Sequence, residues 1–401
     1  MGTRSHGKAH GPLSGHVEVV RTGLVEAGYA PGSVAGHVAL LRLLDQRCVA
    51  EKIVVEGLTE ARIEELLVGV RADDRPVTLR RLGPVLGPLR AAGLVPPATP
   101  RELDAMGLLV AEYAEFLRSQ RRLSPATVQH RAELAARFCR AMLAGHGPGW
   151  QVQALRVEDM HGFLFDHASR CTVAGTRMVA ETLRCWCRFL FAAGHTRRDL
   201  SGTVPAPAGF RQSQLPKAVD EATVAALLGS CDRSTVAGLR DVAVMTLMLR
   251  LGLRANEIAC LRLEDLHWRT GDIEVRGKGG RRDRLPLPAD VGQVLVAYLR
   301  ARPKSPSRSV FLRAVAPAGA LSRNGVVFIP RTASQRAGLP VVIGAHRLRH
   351  TAATRMLRGG ASLREVGQVL RHHGEQVTSI YARLDLAALT PVARAWPGAG
   401  R

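Results

Sequence analysis

Apolar side chains recur at helical spacing over most of the chain. From Leu13 to about Leu94 they form short-looped helical runs, with a turn and helix start at Pro31-Gly32-Ser33-Val34. Pro84 and Pro88 read as breaks, and the stretch from Pro96 to Pro100 as a linker. A second helical block runs from about Leu103 to Leu200, and Leu109, Tyr113, Phe116 and Leu117 mark its first helix. Ser124 is placed to cap the next helix, with Pro125 in its first turn. Val157-Glu158-Asp159 opens a third helix, and residues 176–191 form a fourth. The first block echoes the second: Pro31-Gly32-Ser33-Val34 resembles Pro125-Ala126-Thr127-Val128, and Leu58-Thr59-Glu60 is again an acidic helix start. The echo points to a duplicated helical module, a signal that any two short helix bundles also produce.

Pro205, Pro207, Gly209 and Pro216 mark a second linker. Beyond it the pattern predicts helices over 220–228, 239–251, 256–261, 289–301, 346–358 and 363–370. The run 239–251 is nearly all apolar and should be central. Residues 272–276 alternate like a strand, Gly277-Lys278-Gly279-Gly280 is a turn, and 282–287 returns as the second strand of a hairpin. The expected fold is mainly α with a small antiparallel β-sheet in the last domain. The expected domains are an N-terminal helical domain at 1–97, a second helical domain at 98–205, a linker at 206–216, and a third domain at 217–401.

Charge adds a partner to this picture. The chain of 401 residues carries 56 Lys+Arg against 34 Asp+Glu, a formal net charge of +22. Residues 1–97 hold 12 basic and 10 acidic side chains, residues 98–200 hold 14 and 10, and residues 201–401 hold 30 and 14. An arginine-biased composition alone would spread the excess evenly, so its concentration in the last part indicates a polyanionic partner, most simply nucleic acid. The seven cysteines are scattered without a CxxC pair, and Cys185-Trp186-Cys187 falls in an apolar helical run, as core residues would. That usage fits a reducing cytoplasm. No apolar stretch approaches eighteen residues and the N-terminus has no hydrophobic signal core, so neither membrane insertion nor export is indicated.

Cutting a phosphodiester through a protein nucleophile needs an attacking oxygen, cations on the transferring phosphoryl group, and an acid for the departing oxygen. The last part holds each. Arg254 follows a Leu-Gly-Leu break after the apolar helix, where a basic side chain needs an anionic partner, and Glu257 lies three residues on. Arg349 shares a helix face with His346. Lys278 sits at a glycine-flanked hairpin tip, and Tyr381, one of four tyrosines, lies near the C-terminus.

In this order the residues resemble the tyrosine recombinase, or phage integrase, family. The matching stretches are Leu251-Gly252-Leu253-Arg254-Ala255-Asn256-Glu257-Ile258, Gly277-Lys278-Gly279 with Arg284-Leu285-Pro286-Leu287, His346-Arg347-Leu348-Arg349-His350, Leu370-Arg371-His372, and Tyr381 nine residues after His372. The resemblance covers 217–390, and more loosely 103–200 as a helical core-binding (SAM-like) DNA-binding domain. It resembles recombinases carried on mobile elements more than chromosome resolvases.

The resemblance implies that Tyr381 attacks the scissile phosphate to form a 3′-phosphotyrosine, freeing a 5′-hydroxyl. It implies that Arg254, Arg349 and His346 hold the phosphoryl oxygens and that Lys278 protonates the leaving oxygen. His372 supports the transition state, and Glu257 orients Arg254. It implies no cofactor, metal or nucleotide, because the phosphotyrosine conserves the bond energy. The partner is double-stranded DNA gripped in a multidomain clamp, with a homotetramer in the synaptic complex, sister recombinases as additional partners, and a cytoplasmic, nucleoid-associated location. The first 95 residues are extra to the family's minimal layout. Residues 382–389 are a short amphipathic tail, with Trp396 as an anchor on a neighbouring protomer or on the chain itself.

Blander alternatives stand beside several of these assignments. Arg281, Arg282 and Arg284 are DNA-backbone contacts or a solvated hairpin face. Arg121, Arg122 and Arg131 are backbone contacts of the second helical domain or solvated charge. His346 and His350 have helical spacing for a zinc pair, but no third ligand accompanies them. Arg371 stands where the family has glycine. If that position needs positive φ, arginine strains it; if it only caps a helix, Arg371 adds a phosphate contact. Two other activities remain open on the residues: a type IB-like topoisomerase, or a catalytically silent DNA-binding accessory protein.

Overall fold

The computed structural model describes residues 11–97, 103–206, 218–277 and 281–371. The first helical block contains α1 (Val17–Glu26), α2 (Pro31–Ala50), α3 (Glu60–Leu66), a two-rung hairpin of β1 (Arg71–Ala72) and β2 (Arg75–Pro76), and α4 (Leu79–Ala91). Pro31 begins α2 at a position whose N–H would have no helical partner. Thr59 and Thr78 cap α3 and α4 by accepting from the amides of Arg62 and Arg81.

Pro84 and Pro88 do not break the chain as expected; they lie inside α4. Each removes a helix hydrogen bond. The buried face of Leu82, Val85, Leu86 and Leu89 holds the helix against that loss. Pro88 also lies against α1 at Gly23, where a Cβ would fall 2.7 Å from the proline ring.

The second block contains α5 (Ala105–Ser119), α6 (Pro125–His146), α7 (Val157–Arg170) and α8 (Val173–Ala192). Ser124 occupies the N-cap of α6, but its hydroxyl pairs with the Thr127 hydroxyl at 2.9 Å and not with a helix amide. The core centres on Trp186, with Tyr113 edge-on at 4.9 Å between ring centroids. Cys185 and Cys187 are free thiols in that core.

The two blocks share a packing scheme. In the first, α1 packs on α2 and α4, α2 also on α3 and α4, and α3 on α4. In the second, α5 packs on α6 and α8, α6 also on α7 and α8, and α7 on α8. A 3-10 turn precedes the third helix in each, at Val55–Gly57 and at Val152–Ala154.

The remaining elements are α9 (Glu221–Gly229), α10 (Val236–Arg250), α11 (Ala255–Ala259), β3 (Leu266–His267), β4 (Asp272–Arg276), β5 (Arg282–Pro286), α12 (Ala289–Ala301), α13 (Arg323–Arg336), α14 (Ala345–Arg358) and α15 (Leu363–Val369). As its composition predicts, α10 is central and packs against α11, α12, α13 and α14. The hairpin has the expected register, with Ile273 opposite Leu285, and the short β3 adds a third antiparallel strand. Ile273, Val275 and Leu285 turn inward, so one face of the sheet is buried and the other carries charge. Helix α13 carries Pro330 in its interior, which obscures its helical pattern.

Among the described residues the buried apolar side chains form three large cores, within 13–95, 109–204 and 219–348, and a small cluster of Ala353, Val366 and Leu370. By contact the described chain falls into two compact units, one drawn from 1–99 and 214–401, the other from 100–213. Among the described residues no helix is long and apolar enough to cross a membrane. Gly23→Val should press a branched side chain into the Pro88 ring and destabilise the first helical block by roughly 1–3 kcal/mol. Faster hydrogen exchange confined to its helices would bear this out; unchanged exchange would refute it.

Candidate active site

The site begins at the end of α10. The helix stops at Arg250, and Gly252 follows with φ +59°. The backbone turns there because glycine bears the left-handed conformation without a Cβ penalty. Space is as demanding as conformation: a Cβ on Gly252 would fall 2.3 Å from Leu370 Cδ2. The turn delivers Arg254 to the N-cap of α11.

Two arginines converge through backbone carbonyls. Arg349, on α14, is buried to 4% exposure and donates to the carbonyls of Gly252 and Leu370. Arg254 donates to the carbonyl of the next residue, Arg371, at 3.3 Å. Consecutive carbonyls at the end of α15 therefore receive both guanidiniums. The short α15 is itself well started: Ser362 accepts from the Glu365 amide, and Glu365 accepts from the Ser362 amide at 2.7 Å.

Glu257 meets the expectation that Arg254 has an anionic partner. Its carboxylate, 3% exposed, accepts from Arg254 Nη1 at 2.7 Å and from the Arg254 backbone amide at 2.8 Å. It also accepts from Arg371 Nη2 at 2.7 Å. Burial pushes the Glu257 pKa up, but the Arg371 charge and the Arg254 bonds outweigh it, so the carboxyl sits below its ordinary value.

Arg371 meets the first of the two outcomes that its sequence position left open, the positive-φ backbone. It adopts φ +55°, the left-handed conformation that glycine accepts freely, at a cost of about 1–2 kcal/mol for a residue with a Cβ. Its side chain turns inward, 8% exposed, to Glu257 and to the Val369 carbonyl at 2.9 Å. The expectation of a phosphate contact is thereby replaced by a buried ion pair. A charge-assisted bond of about 1.5–3 kcal/mol is large enough to offset the backbone cost.

His346 and His350 lie edge to face on α14, with ring centroids 4.2 Å apart. His346 is exposed to solvent, yet the surrounding protein, then the Arg349 and Arg254 charges, lower its pKa. Burial, then His346 and Arg349, lower His350 further, to about 4. Both imidazoles are therefore neutral at pH 7, and His346 can accept a proton. Among the described residues no group of three or more His, Cys, Asp or Glu side chains gathers to hold a metal ion.

The structure thus brings together Arg254, Glu257, His346 and Arg349. Lys278, His372 and Tyr381 lie outside the described residues, as do the amphipathic tail and Trp396. Gly277 N–H donates to the Arg281 carbonyl at 2.8 Å, the last described rung of the hairpin before Lys278. Arg281, Arg282 and Arg284 are exposed on that hairpin, and Arg282 pairs with Glu274 at 3.0 Å. Arg121 and Arg122 are exposed after α5, whereas Arg131 is half-buried on α6. His350 and the inward role of Arg371 were missed as site features. A second polar residue beside the His-x-x-Arg box and an arginine in a glycine position were the available signals.

Gly252→Ala should destabilise the core within 219–348 by about 1–3 kcal/mol through Leu370 displacement and left-handed strain. Urea unfolding at an unchanged m-value would read this directly, and a stability equal to wild type would refute the close approach. His350 also imposes a pH dependence. Its folded pKa lies below its unfolded value, so the unfolded chain binds more protons between pH 6.5 and about 4. Stability is complete above pH 6.5 and falls as the pH drops through that window, by on the order of 1–3 kcal/mol. His350→Gln should flatten the fall between pH 6.5 and about 4.5 in chemical denaturation. An equally steep fall in the variant would exclude His350 as its source.

Residues 217–387 match the family described as the phage integrase family. One similar protein is named "Putative integrase/recombinase y4rA", from Sinorhizobium fredii; it is 40% identical over 72% of this chain and 71% of its own length. Tyrosine recombinase XerD of Listeria monocytogenes is 31% identical over 72% of this chain and 97% of its own. Among solved structures, the XerH site-specific recombinase bound to its palindromic difH substrate in a post-cleavage complex is similar in fold. Its TM-score is 0.54 at 19% identity, covering 72% of this chain and 84% of that one. The chain belongs to the phage integrase family of tyrosine recombinases, the site-specific enzymes that cut and rejoin DNA.

Proposed function

We propose that the chain exchanges strands between DNA duplexes through a covalent phosphotyrosine, with Tyr381 as the nucleophile. The observation that carries this reading is the tethering of Arg254 and Arg349 to consecutive carbonyls at residues 370 and 371. It brings two cations to the end of the helix that leads into His372 and Tyr381. Arg254 and Arg349 hold the non-bridging oxygens of the scissile phosphate. Guanidiniums suit this work because their planar forks match two phosphate oxygens and keep their charge at any working pH.

In the proposed step, the Tyr381 oxygen bonds to phosphorus as the P–O5′ bond breaks. Neutral His346 accepts the tyrosine proton, and Lys278 donates a proton to the departing 5′ oxygen. His372 hydrogen-bonds a phosphoryl oxygen. One phosphate ester replaces another, so the reverse attack by a 5′-hydroxyl rejoins DNA without an energy source.

The partner is double-stranded DNA, with four copies of the chain in the synapse and sister recombinases as additional partners. Arg281, Arg282 and Arg284 on the hairpin, with Arg121, Arg122 and Arg131, are proposed to contact the DNA backbone. The site of action is the nucleoid. The shared helix order and packing of α1–α4 and α5–α8 support reading 1–97 as a second copy of the helical module in 98–205, joined through 206–216 to the catalytic domain at 217–401. Between 11 and 97, ten basic side chains face ten acidic ones, so phosphate tracking has less electrostatic support there than in the catalytic domain.

The test begins by selecting the target site from a random duplex pool with the full-length protein. A suicide duplex nicked beside that site should then trap wild type as a covalent adduct, while Tyr381→Phe should trap none and retain binding within about twofold. Absence of adduct from wild type on DNA that it binds tightly would overturn the reading.

A further inference from the structure

We propose that Arg371 is a positioning residue for DNA cleavage: its buried guanidinium fixes the Glu257 carboxylate, and that carboxylate aims Arg254 at the phosphate. The inference rests on the recombinase reading above and goes beyond it. The resemblance supplies glycine at this position, and no role there for a side chain.

Arg371 holds Arg254 in two ways. Its backbone carbonyl accepts directly from Arg254 Nη2 at 3.3 Å. Its side chain acts through Glu257, donating to Oε2 at 2.7 Å while Oε1 accepts from Arg254 Nη1 at 2.7 Å. The Arg254 amide also donates to Oε2, so the carboxylate is held on both oxygens by groups from two elements distant in sequence. With Arg371 present, the carboxylate plane has little freedom to rotate, and Arg254 inherits that order. Without it, among the described residues Glu257 is held only by the residue that it must position.

Charge leads to the same conclusion. One carboxylate between two guanidiniums leaves a surplus positive charge at the site, where a phosphate diester supplies the balancing anion. Glu257 alone with Arg254 would neutralise it. Arg371 keeps Glu257 ionised and shares its charge, which leaves Arg254 more strongly cationic toward the DNA. Among the described residues the charged groups that face Glu257 are Arg254, at the start of α11, and Arg371, at the end of α15.

Arg371→Gly isolates the side chain. It keeps the 371 carbonyl and relieves the left-handed backbone, so strain cannot account for any loss. On the selected suicide duplex, Arg371→Gly should slow single-turnover cleavage by at least about tenfold while the DNA dissociation constant moves by less than about twofold. The acid limb of its cleavage–pH profile should shift to higher pH, as Glu257 loses its cation. Arg371→Lys should recover part of the rate. Glu257→Gln should also slow cleavage, and adding Arg371→Gly to it should slow cleavage no further, because both act through one carboxylate. Cleavage by Arg371→Gly at the wild-type rate would overturn the proposal while leaving the recombinase reading intact. So would a parallel fall of binding, melting temperature and cleavage, or multiplying losses in the double variant. Failure of wild type itself to form adduct would overturn both.

Discussion

A single buried carboxylate, Glu257, is the point on which the site depends. It is 3% exposed and can be tolerated there only because cations and amides satisfy it. Those partners come from segments more than a hundred residues apart, residue 254 and residue 371. The ion pairs therefore join the end of α15 to the start of α11. The guanidinium at 254 is also the partner of the acid that closes this joint.

The second arginine obeys the same constraint by another route. Arg349 is buried and bonded to the carbonyls of Gly252 and Leu370. Gly252 serves twice, leaving room for Leu370 and offering its own carbonyl to Arg349. Helix ends leave carbonyls unsatisfied, and here those orphan acceptors become anchors for cations. Packing at Gly252 and polar satisfaction at Arg349 are thus one arrangement, seen from apolar and polar sides. Burial, and after it the neighbouring charges that include Arg349 on the same helix, lowers the pKa values of His346 and His350.

Beyond the catalytic part, the two helical blocks show how similar scaffolds carry different surfaces. Their helices pack in the same pairs, but their charge differs. The first block balances its charges between 11 and 97 and salt-bridges several of them, including Arg81 with Asp73 and Arg90 with Glu60. The scaffold is set by buried apolar faces, whereas the partner is chosen by exposed side chains, and the two vary independently.

Much of this was legible in the residues. Helical periodicity located the long helices, alternation located the hairpin at 272–286, and the resemblance to tyrosine recombinases placed Arg254, Glu257, His346 and Arg349 in one site. These signals are local: each depends on neighbours within a turn or on a fixed motif. Where local signals conflict with packing, they failed. Pro84 and Pro88 break helices by rule, yet α4 survives because its other face is fully buried. Arg371 shows the limit most clearly. The sequence alone establishes that an arginine replaces a glycine. Its left-handed backbone and inward side chain depend on a carboxylate 114 positions away, and only the tertiary structure brings that carboxylate within hydrogen-bonding distance.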